Sequence, residues 1–248
     1  MKQTLGIAVR FLDDRYHGAG PWPPSPARLM QALVAGVARG DAIDASDGAA
    51  LEWLETLDPP TIAFPHGRRG AAVRLYVPNN DLDAVFKPSD GDLQQATASI
   101  RTPKDLQPVF FDATVPLIYL WQIEPDDCAH ADAVGRIARD LYSFGHGIDA
   151  AYAVGETRPT IDDWLTNHRG VLVTPDDGRF GIPLDCPMQG SFASLQQRYA
   201  AQRHQFRQSK AGRGFVTHFT RPPKARFRSR GYASPSSRFC FDIVEPRG

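Results

Sequence analysis

Two observations predict an α+β fold for this chain. The first is the order of its apolar segments, which runs strand, helix, strands, a long polar interval, strand, helix and strand. The second is the spacing of apolar residues in the helical segments, which recur every three or four positions along one face. This order fits the split β-α-β plan of ferredoxin-like (RRM-like) domains. Many unrelated activities use that plan, so it does not by itself define a function.

The elements before residue 79 each have a local signal. The first helix has Ser25 as its cap and Pro26 in its first turn, and places Leu29, Leu33 and Val37 on one face. A proline pair ends the second helix. The predicted elements are a buried strand at Thr4–Leu12, helices at Ala27–Arg39 and Ala49–Leu57, and strands at Thr61–Phe64 and Val73–Val77.

The second half begins with a polar, weakly patterned interval, residues 79–107, which we interpret as a long insertion. A glycine ends the predicted helix that follows, and an Asp-Gly turn predicts a hairpin. The predicted elements are a strand at Thr114–Ile123, a helix at Ala129–Phe144 ended by Gly145, a strand at Ala150–Gly155, a hairpin at Gly170–Leu184 turning at Asp177-Gly178, a helix at Ser191–Gln208 and a last strand at Phe239–Val244.

The formal net charge is zero because two opposite charges cancel. Residues 1–185 carry 16 Lys and Arg against 26 Asp and Glu, whereas residues 186–248 carry 12 against 2. We therefore predict a ferredoxin-like domain at 1–185 and a smaller, β-rich basic region at 186–248. A charge division of this kind predicts contact with nucleic acid or a membrane at the basic end.

The basic region has no acidic residue between Cys186 and Phe241. Arginines outnumber lysines there and alternate with aromatic residues, a combination that pairs with phosphates and stacks on single-stranded bases. A membrane surface is disfavoured, since no bulky apolar face lies opposite the charges. The alternatives left open are a solvated face and docking on the acidic part of the same chain. The cations are Arg198, Arg203, Arg207, Lys210, Arg213, Arg221, Lys224, Arg226, Arg228, Arg230 and Arg238.

Spacing divides this region into three parts. Arg203 and Arg207 are predicted to share one helix face, and a glycine-containing loop carries Lys210 and Arg213. The sequence Arg226-Phe-Arg-Ser-Arg230 places its arginines on one side of an extended strand and Phe227 on the other.

The three cysteines are dispersed, which argues against a disulfide framework and fits a reducing cytoplasm. Neither a zinc-like spacing nor a cofactor motif is present, so no metal and no cofactor are predicted. The N-terminus lacks an apolar region long enough for a signal peptide, and no apolar run approaches the ~20 residues of a membrane span.

The histidines are the candidate groups for metal-independent RNA cleavage, which needs a general acid or base near a 2′-hydroxyl. Their alternative roles are phosphate or base contacts and, for His146, a helix stop. We assign no catalytic residue from the sequence. The candidates are His17 beside Arg15 and Tyr16, His146, His204 beside Arg203, and His218.

Four N-terminal motifs resemble a known family. They are Phe11-Leu-Asp-Asp-Arg-Tyr-His17, Trp22-Pro-Pro-Ser-Pro-Ala-Arg28, the segment Ala50–Pro60 and Tyr76-Val-Pro-Asn-Asn-Asp81. In this order they resemble the Csb-two family, the Cas-five/Cas-six fusion subunit of type I-G (I-U) CRISPR effector complexes. The similarity is close over residues 1–85 and loose beyond them.

The resemblance implies a fold of the RAMP superfamily, with an insertion at about 65–113 acting as a thumb. It implies that the chain is a crRNA-binding backbone subunit of a Cascade-like antiviral defence complex and holds the 5′ handle of the crRNA. The implied partners are repeated backbone subunits, a large subunit and a Cas-six-type endonuclease domain or chain. Because family members are about twice as long, we expect only the Cas-five-type part here, without catalysis of its own.

Two other functions remain open from the residues. One is a metal-independent endoribonuclease that processes pre-crRNA, and the other is a protein-interaction module whose basic end docks on acidic partners. For the favoured function, the predicted RNA-binding residues are Arg15, Tyr16, His17, Arg28, Arg198, Arg203, Arg207, Lys210, Arg213, Arg221, Lys224, Arg226, Arg228 and Arg230.

Overall fold

A computed structural model describes residues 2–38, 42–78, 101–176, 181–203, 206–208, 216–219 and 222–234. Its strands are β1 (Gln3–Phe11), β2 (Arg15–Tyr16), β3 (Thr61–Phe64), β4 (Gly67–Arg69), β5 (Val73–Pro78), β6 (Arg101–Leu106), β7 (Val109–Phe111), β8 (Leu117–Ile123), β9 (Ala151–Arg158), β10 (Val171–Asp176), β11 (Ile182–Cys186), β12 (Phe206–Gln208), β13 (Val216–Phe219) and β14 (Arg228–Ala233). Its helices are α1 (Pro26–Val37), α2 (Ala45–Leu54), α3 (Cys128–Ala138), α4 (Ile161–Leu165) and α5 (Ser191–Arg203), with a 3₁₀ turn at Pro125–Asp127.

A seven-stranded antiparallel sheet organises the fold, in the order β11-β14-β10-β3-β8-β1-β9. Next to its edge strand β9 lies β1, which pairs with β8 through Leu5↔Trp121 and with β9 through Leu5↔Thr157. The helix α1 connects β1 to the part of the chain that leads to β3, and α3 connects β8 to β9. The α+β class predicted from the sequence is therefore present as a mixed structure around a large antiparallel sheet.

The main core lies on one face of this sheet. Alternate residues of β1, including Leu5, Ile7 and Val9, pack there against buried residues of α1, α2 and α3, as expected for a strand with one face toward helices. The opposite face has a smaller cluster in which Trp164 of α4 packs against Ile118 and Leu120. Three of the helices thus cover one face, and the short α4 covers part of the other.

The predicted first helix is confirmed at its start. Ser25 caps α1, its side chain accepts a hydrogen bond from the backbone N–H of Arg28, and Pro26 occupies the first turn. Leu29 and Leu33 are buried. Val37 is only partly buried, because α1 ends there.

Two predicted helices are too long. The helix predicted to Phe144 ends at Ala138, yet Leu141 and Phe144 remain buried in the loop that follows, so the apolar pattern continues after the helix has ended. Gly145 accordingly does not end a helix. The helix predicted to Gln208 ends at Arg203, because Phe206–Gln208 forms β12 and pairs with β13.

The predicted hairpin at Gly170–Leu184 is wrong in its pairing. Its two strands, β10 and β11, exist, but β14 lies between them and pairs with both. Thr174 faces Ala233 and Leu184 faces Arg230 across the two ladders. A strand of the predicted basic region is therefore an interior member of the sheet. The turn at 177–178 and the strand predicted at Phe239–Val244 lie outside the described residues.

Candidate nucleic-acid interface

The loop after β1 is anchored by the buried carboxylate of Asp149, which is 2% exposed. Asp149 Oδ1 accepts a hydrogen bond from the backbone N–H of His17 at 2.9 Å and contacts His17 Nδ1 at 2.8 Å. Asp149 Oδ2 accepts from the backbone N–H of His146 at 2.7 Å. Two loops that are 132 residues apart in the sequence are thereby joined at one acid.

The contact with Asp149 defines the tautomer of the neutral His17 ring. A carboxylate accepts hydrogen bonds only, so Nδ1 carries the proton and Nε2 has the free lone pair in the neutral imidazole. A histidine oriented by a buried acid can act as a general base or as a positioned hydrogen-bonding group. Sequence analysis found His17 but not Asp149, because nothing near residue 149 indicates a partner so far away.

Tyr16 is buried beneath this loop and is 1% exposed. Its ring lies 5.8 Å from that of Phe11 and 5.6 Å from that of Trp22, centroid to centroid. Burial raises the pKa of Tyr16 to about 12, although the nearby guanidinium of Arg28 opposes that shift. A ring enclosed in this way cannot stack on a base. The predicted RNA contact by Tyr16 is therefore replaced by a supporting role beside Arg28.

Arg15 lies at the surface with a carboxylate of its own. Its Nη2 atom is 2.6 Å from Asp13 Oδ2, and both side chains are more than half exposed. The hydrogen bond from Arg15 is the main cause that lowers the pKa of Asp13. Arg15 is thus partly neutralised by its own neighbour.

A groove of about 860 Å³ lies between α1 and α5. It combines three of the arginines predicted to bind RNA with an exposed aromatic ring and amide side chains, and its lining, as far as the described residues define it, contains neither Asp nor Glu. Its polar and aromatic lining consists of Arg28, Gln31, Gln196, Arg198, Tyr199, Gln202 and Arg203. Guanidinium groups suit phosphates, and a tyrosine ring offers a stacking surface. We call this site the α1–α5 groove.

The position of α5 depends on a second buried acid, Glu55, which is 6% exposed and follows α2. Glu55 Oε1 accepts from the backbone N–H of Gly190 at 2.6 Å, and Oε2 accepts from that of Phe192 at 2.7 Å. These N–H groups belong to the first turn of α5, which has no intrahelical acceptors for them. Sequence analysis did not identify Glu55, since its partners are 135 and 137 residues away.

The segment before β14 lies along α5. The backbone N–H of Arg226 donates to Ser194 Oγ, the hydroxyl of Ser191 donates to the Arg226 carbonyl, and Arg198 donates to the Pro223 carbonyl at 2.7 Å. Lys224 and Arg226 are exposed on this segment. The segment therefore places two more cations close to the α1–α5 groove.

Arg228 and Arg230 are partly buried on β14, on the side of the strand that carries the buried Tyr232. They face Cys186 and Leu184 on β11, whose side chains belong to the main core. Phe227 precedes the strand and is also partly buried. The two arginines thus share one side, but that side faces the core and not an open edge.

Four predicted RNA-binding residues and one candidate histidine remain. Arg207 lies in β12 and not on α5, so it does not share a helix face with Arg203. Lys210, Arg213, Arg221 and His204 lie outside the described residues.

The described residues contain no cluster of three or more His, Cys, Asp or Glu side chains that could hold a metal ion. Within the same ranges, no helix has the length and apolarity needed to cross a membrane.

The sequence matches the family described as CRISPR-associated protein, GSU0054 family, over residues 7–234. Because this match spans most of its length, the chain belongs to that family of CRISPR-associated proteins. No curated protein matches the sequence significantly.

Among solved structures, the chain is similar to one described as the crystal structure of a CRISPR protein from Archaeoglobus fulgidus, with 14% identity and a TM-score of 0.30. The alignment covers 74% of this chain and 68% of that one.

Proposed function

We propose that this protein is a crRNA-binding backbone subunit of a CRISPR effector complex, of the Cas-five type found in type I-G systems, and that it holds the 5′ handle of the crRNA. The α1–α5 groove carries this proposal. It places Arg28, Arg198 and Arg203 around one concave surface on which the described residues include no acid, in a chain that belongs to a CRISPR-associated family. Its proposed partners are the crRNA, repeated backbone subunits, a large subunit and a Cas-six-type endonuclease.

The strand order supports assigning the fold to the ferredoxin-like plan of the RAMP superfamily. The four strands β3, β8, β1 and β9 are adjacent in that order and antiparallel, and helices connect β1 to β3 and β8 to β9. This is the arrangement of a split β-α-β domain. The hairpin formed by β5 and β6 leaves the domain in the region assigned to the thumb, with Val73 and Tyr76 exposed.

RNA binding by the groove is tested with the purified chain, a repeat-derived crRNA and filter binding at two salt concentrations. We expect Arg28→Gln and Arg198→Gln each to weaken binding about 5- to 10-fold and to reduce the salt dependence, because each removes a phosphate contact. Arg136→Gln on the exposed side of α3 is the matched control and should bind as the wild type does. Equal affinity of all three variants would refute the groove as the binding site.

The pair formed by His17 and Asp149 favours a second candidate function, metal-independent cleavage of RNA. Its geometry is that of a base oriented by an acid, with Nδ1 at 2.8 Å from the carboxylate. Incubating the chain with repeat RNA in EDTA tests this function. Cleavage that is lost in His17→Ala would support it, and intact RNA after prolonged incubation would exclude it.

A further inference from the structure

The sheet face opposite the main core has a second cationic site. On β1, Leu5, Ile7 and Val9 face the core, so the alternating residues Ala8 and Arg10 lie on the other face. A pocket of about 520 Å³ opens there between β1, the loop before β8 and the loop after α4. It lies across the sheet from the helices α1, α2 and α3.

Within the described ranges, four basic side chains line this pocket, and neither Asp nor Glu does. They are Arg10, Arg158, His168 and Arg169. Arg10 Nη1 donates to the Thr114 carbonyl at 2.9 Å, and His168 Nε2 lies 2.9 Å from the Pro116 carbonyl, so both are held in place. Backbone carbonyls position these groups without neutralising them.

The other two basic residues are arginines with acidic neighbours outside the pocket lining. Arg158 stacks over the ring of Trp164 at 4.2 Å and pairs with Glu156, while the exposed Arg169 lies near Asp112. The hydrogen bonds from Thr114 are the main cause that lowers the pKa of Asp112, and the charge of Arg169 adds to it. Positive charge therefore predominates at the pocket itself.

Trp164 forms part of the pocket wall. The residue is 7% exposed, and its indole Nε1 is buried without a hydrogen-bond acceptor in the described part of the chain. Its partial positive charge is therefore not compensated by a protein group. Leaving a buried donor in this state costs about 1–3 kcal/mol, and such groups in folded proteins call for an explanation.

Two exposed apolar side chains, one of them aromatic, continue from the pocket along β9. Tyr152 and Val154 are 47% and 44% exposed and pair in register with Arg10 and Ala8. A tyrosine ring beside a cationic pocket is the combination with which proteins hold single-stranded nucleic acid, with a base on the ring and phosphates on the cations.

We propose that this open sheet face is a second binding site for single-stranded nucleic acid, separate from the α1–α5 groove. Arg10, Arg158 and Arg169 contact phosphates, and Tyr152 stacks on a base. The inference rests on the proposed function in one respect, namely that the natural ligand is RNA. The two sites lie on opposite faces of the sheet. A single RNA molecule must therefore pass around an edge of the sheet to occupy both sites.

The test measures the affinity of the full chain for a fluorescently labelled, repeat-length single-stranded RNA. Tyr152→Ala should weaken binding about tenfold through lost stacking, and Arg169→Gln should weaken it about threefold with a salt slope smaller by about 0.7. Both side chains are exposed, so thermal unfolding should be unchanged. The matched control is Tyr142→Ala, since Tyr142 is 63% exposed outside the pocket.

The outcomes separate this inference from the proposed function. If Tyr152→Ala and Arg169→Gln bind RNA as the wild type does while Arg198→Gln binds weakly, the second site is refuted and the groove stands. If the two sheet-face variants bind weakly and Arg198→Gln does not, the second site stands and the groove is refuted. A wild-type chain that does not bind RNA refutes both.

Photo-crosslinking with 4-thiouridine RNA adds an independent measurement. Mass spectrometry should find crosslinks in the peptide that contains Tyr152, and these should persist in Arg198→Gln. Crosslinks confined to peptides of α1 and α5 would overturn the proposed second site.

Discussion

At Gly145 the backbone has φ of +134°, a conformation that side chains with a Cβ rarely adopt. A Cβ added there would lie 2.4 Å from Asp149 Oδ2 and 2.6 Å from Tyr16 Cε2. Glycine at this position therefore allows the loop to close over the acid that holds His17. The sequence suggested that Gly145 ends a helix, whereas its role depends on Asp149, four positions downstream, and on Tyr16, 129 positions upstream.

Gly145→Ala is expected to destabilise the protein by about 1–3 kcal/mol, because both the backbone strain and the contact with Asp149 oppose folding. Urea denaturation measures this loss. Gly147→Ala is the matched control, since no atom lies within 4 Å of an added Cβ there. An equal loss in the two variants would contradict the stated cause.

Tyr16 predicts a pH dependence of stability. Burial raises its pKa in the folded protein to about 12, above the ordinary value of 10.0. The folded state then holds the phenolic proton more tightly than the unfolded state does. The resulting stabilisation is fully present below pH 10 and is lost as the pH rises from 10 to 12.

We expect Tyr16→Phe to show a smaller fall in unfolding free energy between pH 10 and 12 than the wild type. The difference should be about 2–3 kcal/mol, from 1.36 kcal/mol per pKa unit. Chemical denaturation at several pH values gives the slope of unfolding free energy against pH for each protein. The two slopes are compared, because the substitution also changes the absolute stability. Parallel slopes in the two proteins would show that Tyr16 does not titrate in this range.

At the scale of elements, α5 is positioned by its first turn. Glu55 accepts hydrogen bonds from the N–H groups of Gly190 and Phe192, where the helix dipole also favours a negative charge. Since α5 forms one wall of the α1–α5 groove, this buried acid acts on the site without lining it.

Glu55→Gln is expected to lower the unfolding free energy by about 2 kcal/mol, since charge-assisted hydrogen bonds are lost and the amide NH₂ meets another donor. RNA affinity should fall together with stability, because α5 forms one wall of the α1–α5 groove. Glu52→Gln, an exposed change on the same helix, should leave stability within about 0.5 kcal/mol of the wild type. Thermal unfolding together with filter binding distinguishes the two variants.

At the scale of the whole molecule, opposite charges are separated along the sequence but meet in the fold. The region at 186–248 has 12 basic residues and 2 acidic ones, yet β14 from this region lies inside the sheet between two strands of the acidic part. Part of the basic charge therefore sits near the core, on Arg228 and Arg230, and part borders the α1–α5 groove. The domain boundary predicted at residue 185 stays a prediction. Across that boundary, β14 pairs with β10 and β11.

RNA affinity should depend on salt according to the number of arginines in the groove. With three phosphates neutralised there, the groove should contribute about 2 to the slope of log Kd against log salt, from ~0.7 per phosphate on a single strand. Phosphate contacts on the sheet face add to this slope. Titrations between 50 and 300 mM NaCl measure the slope. A slope near zero would show that the groove does not bind phosphates.

Local signals in the sequence determined the elements whose causes are local. Ser25 and Pro26 define the start of α1, and the segment predicted at Thr61–Phe64 coincides with β3. The charge division also identified Arg198 and Arg203, and the N-terminal motifs identified Arg28; the fold brings the three to one groove. Capping and apolar periodicity involve residues that are close together in the sequence, and composition does not depend on the arrangement of residues in space. A single sequence is therefore enough to recognise all three.

The tertiary structure alone decided what depends on distant partners. The insertion of β14 between β10 and β11, the supports at Asp149 and Glu55, and the burial of Tyr16 all join parts of the chain about 50 to 140 residues apart. Strand pairing and side-chain hydrogen bonds are satisfied by whichever partner the fold brings close, and the sequence near each residue carries no record of that partner.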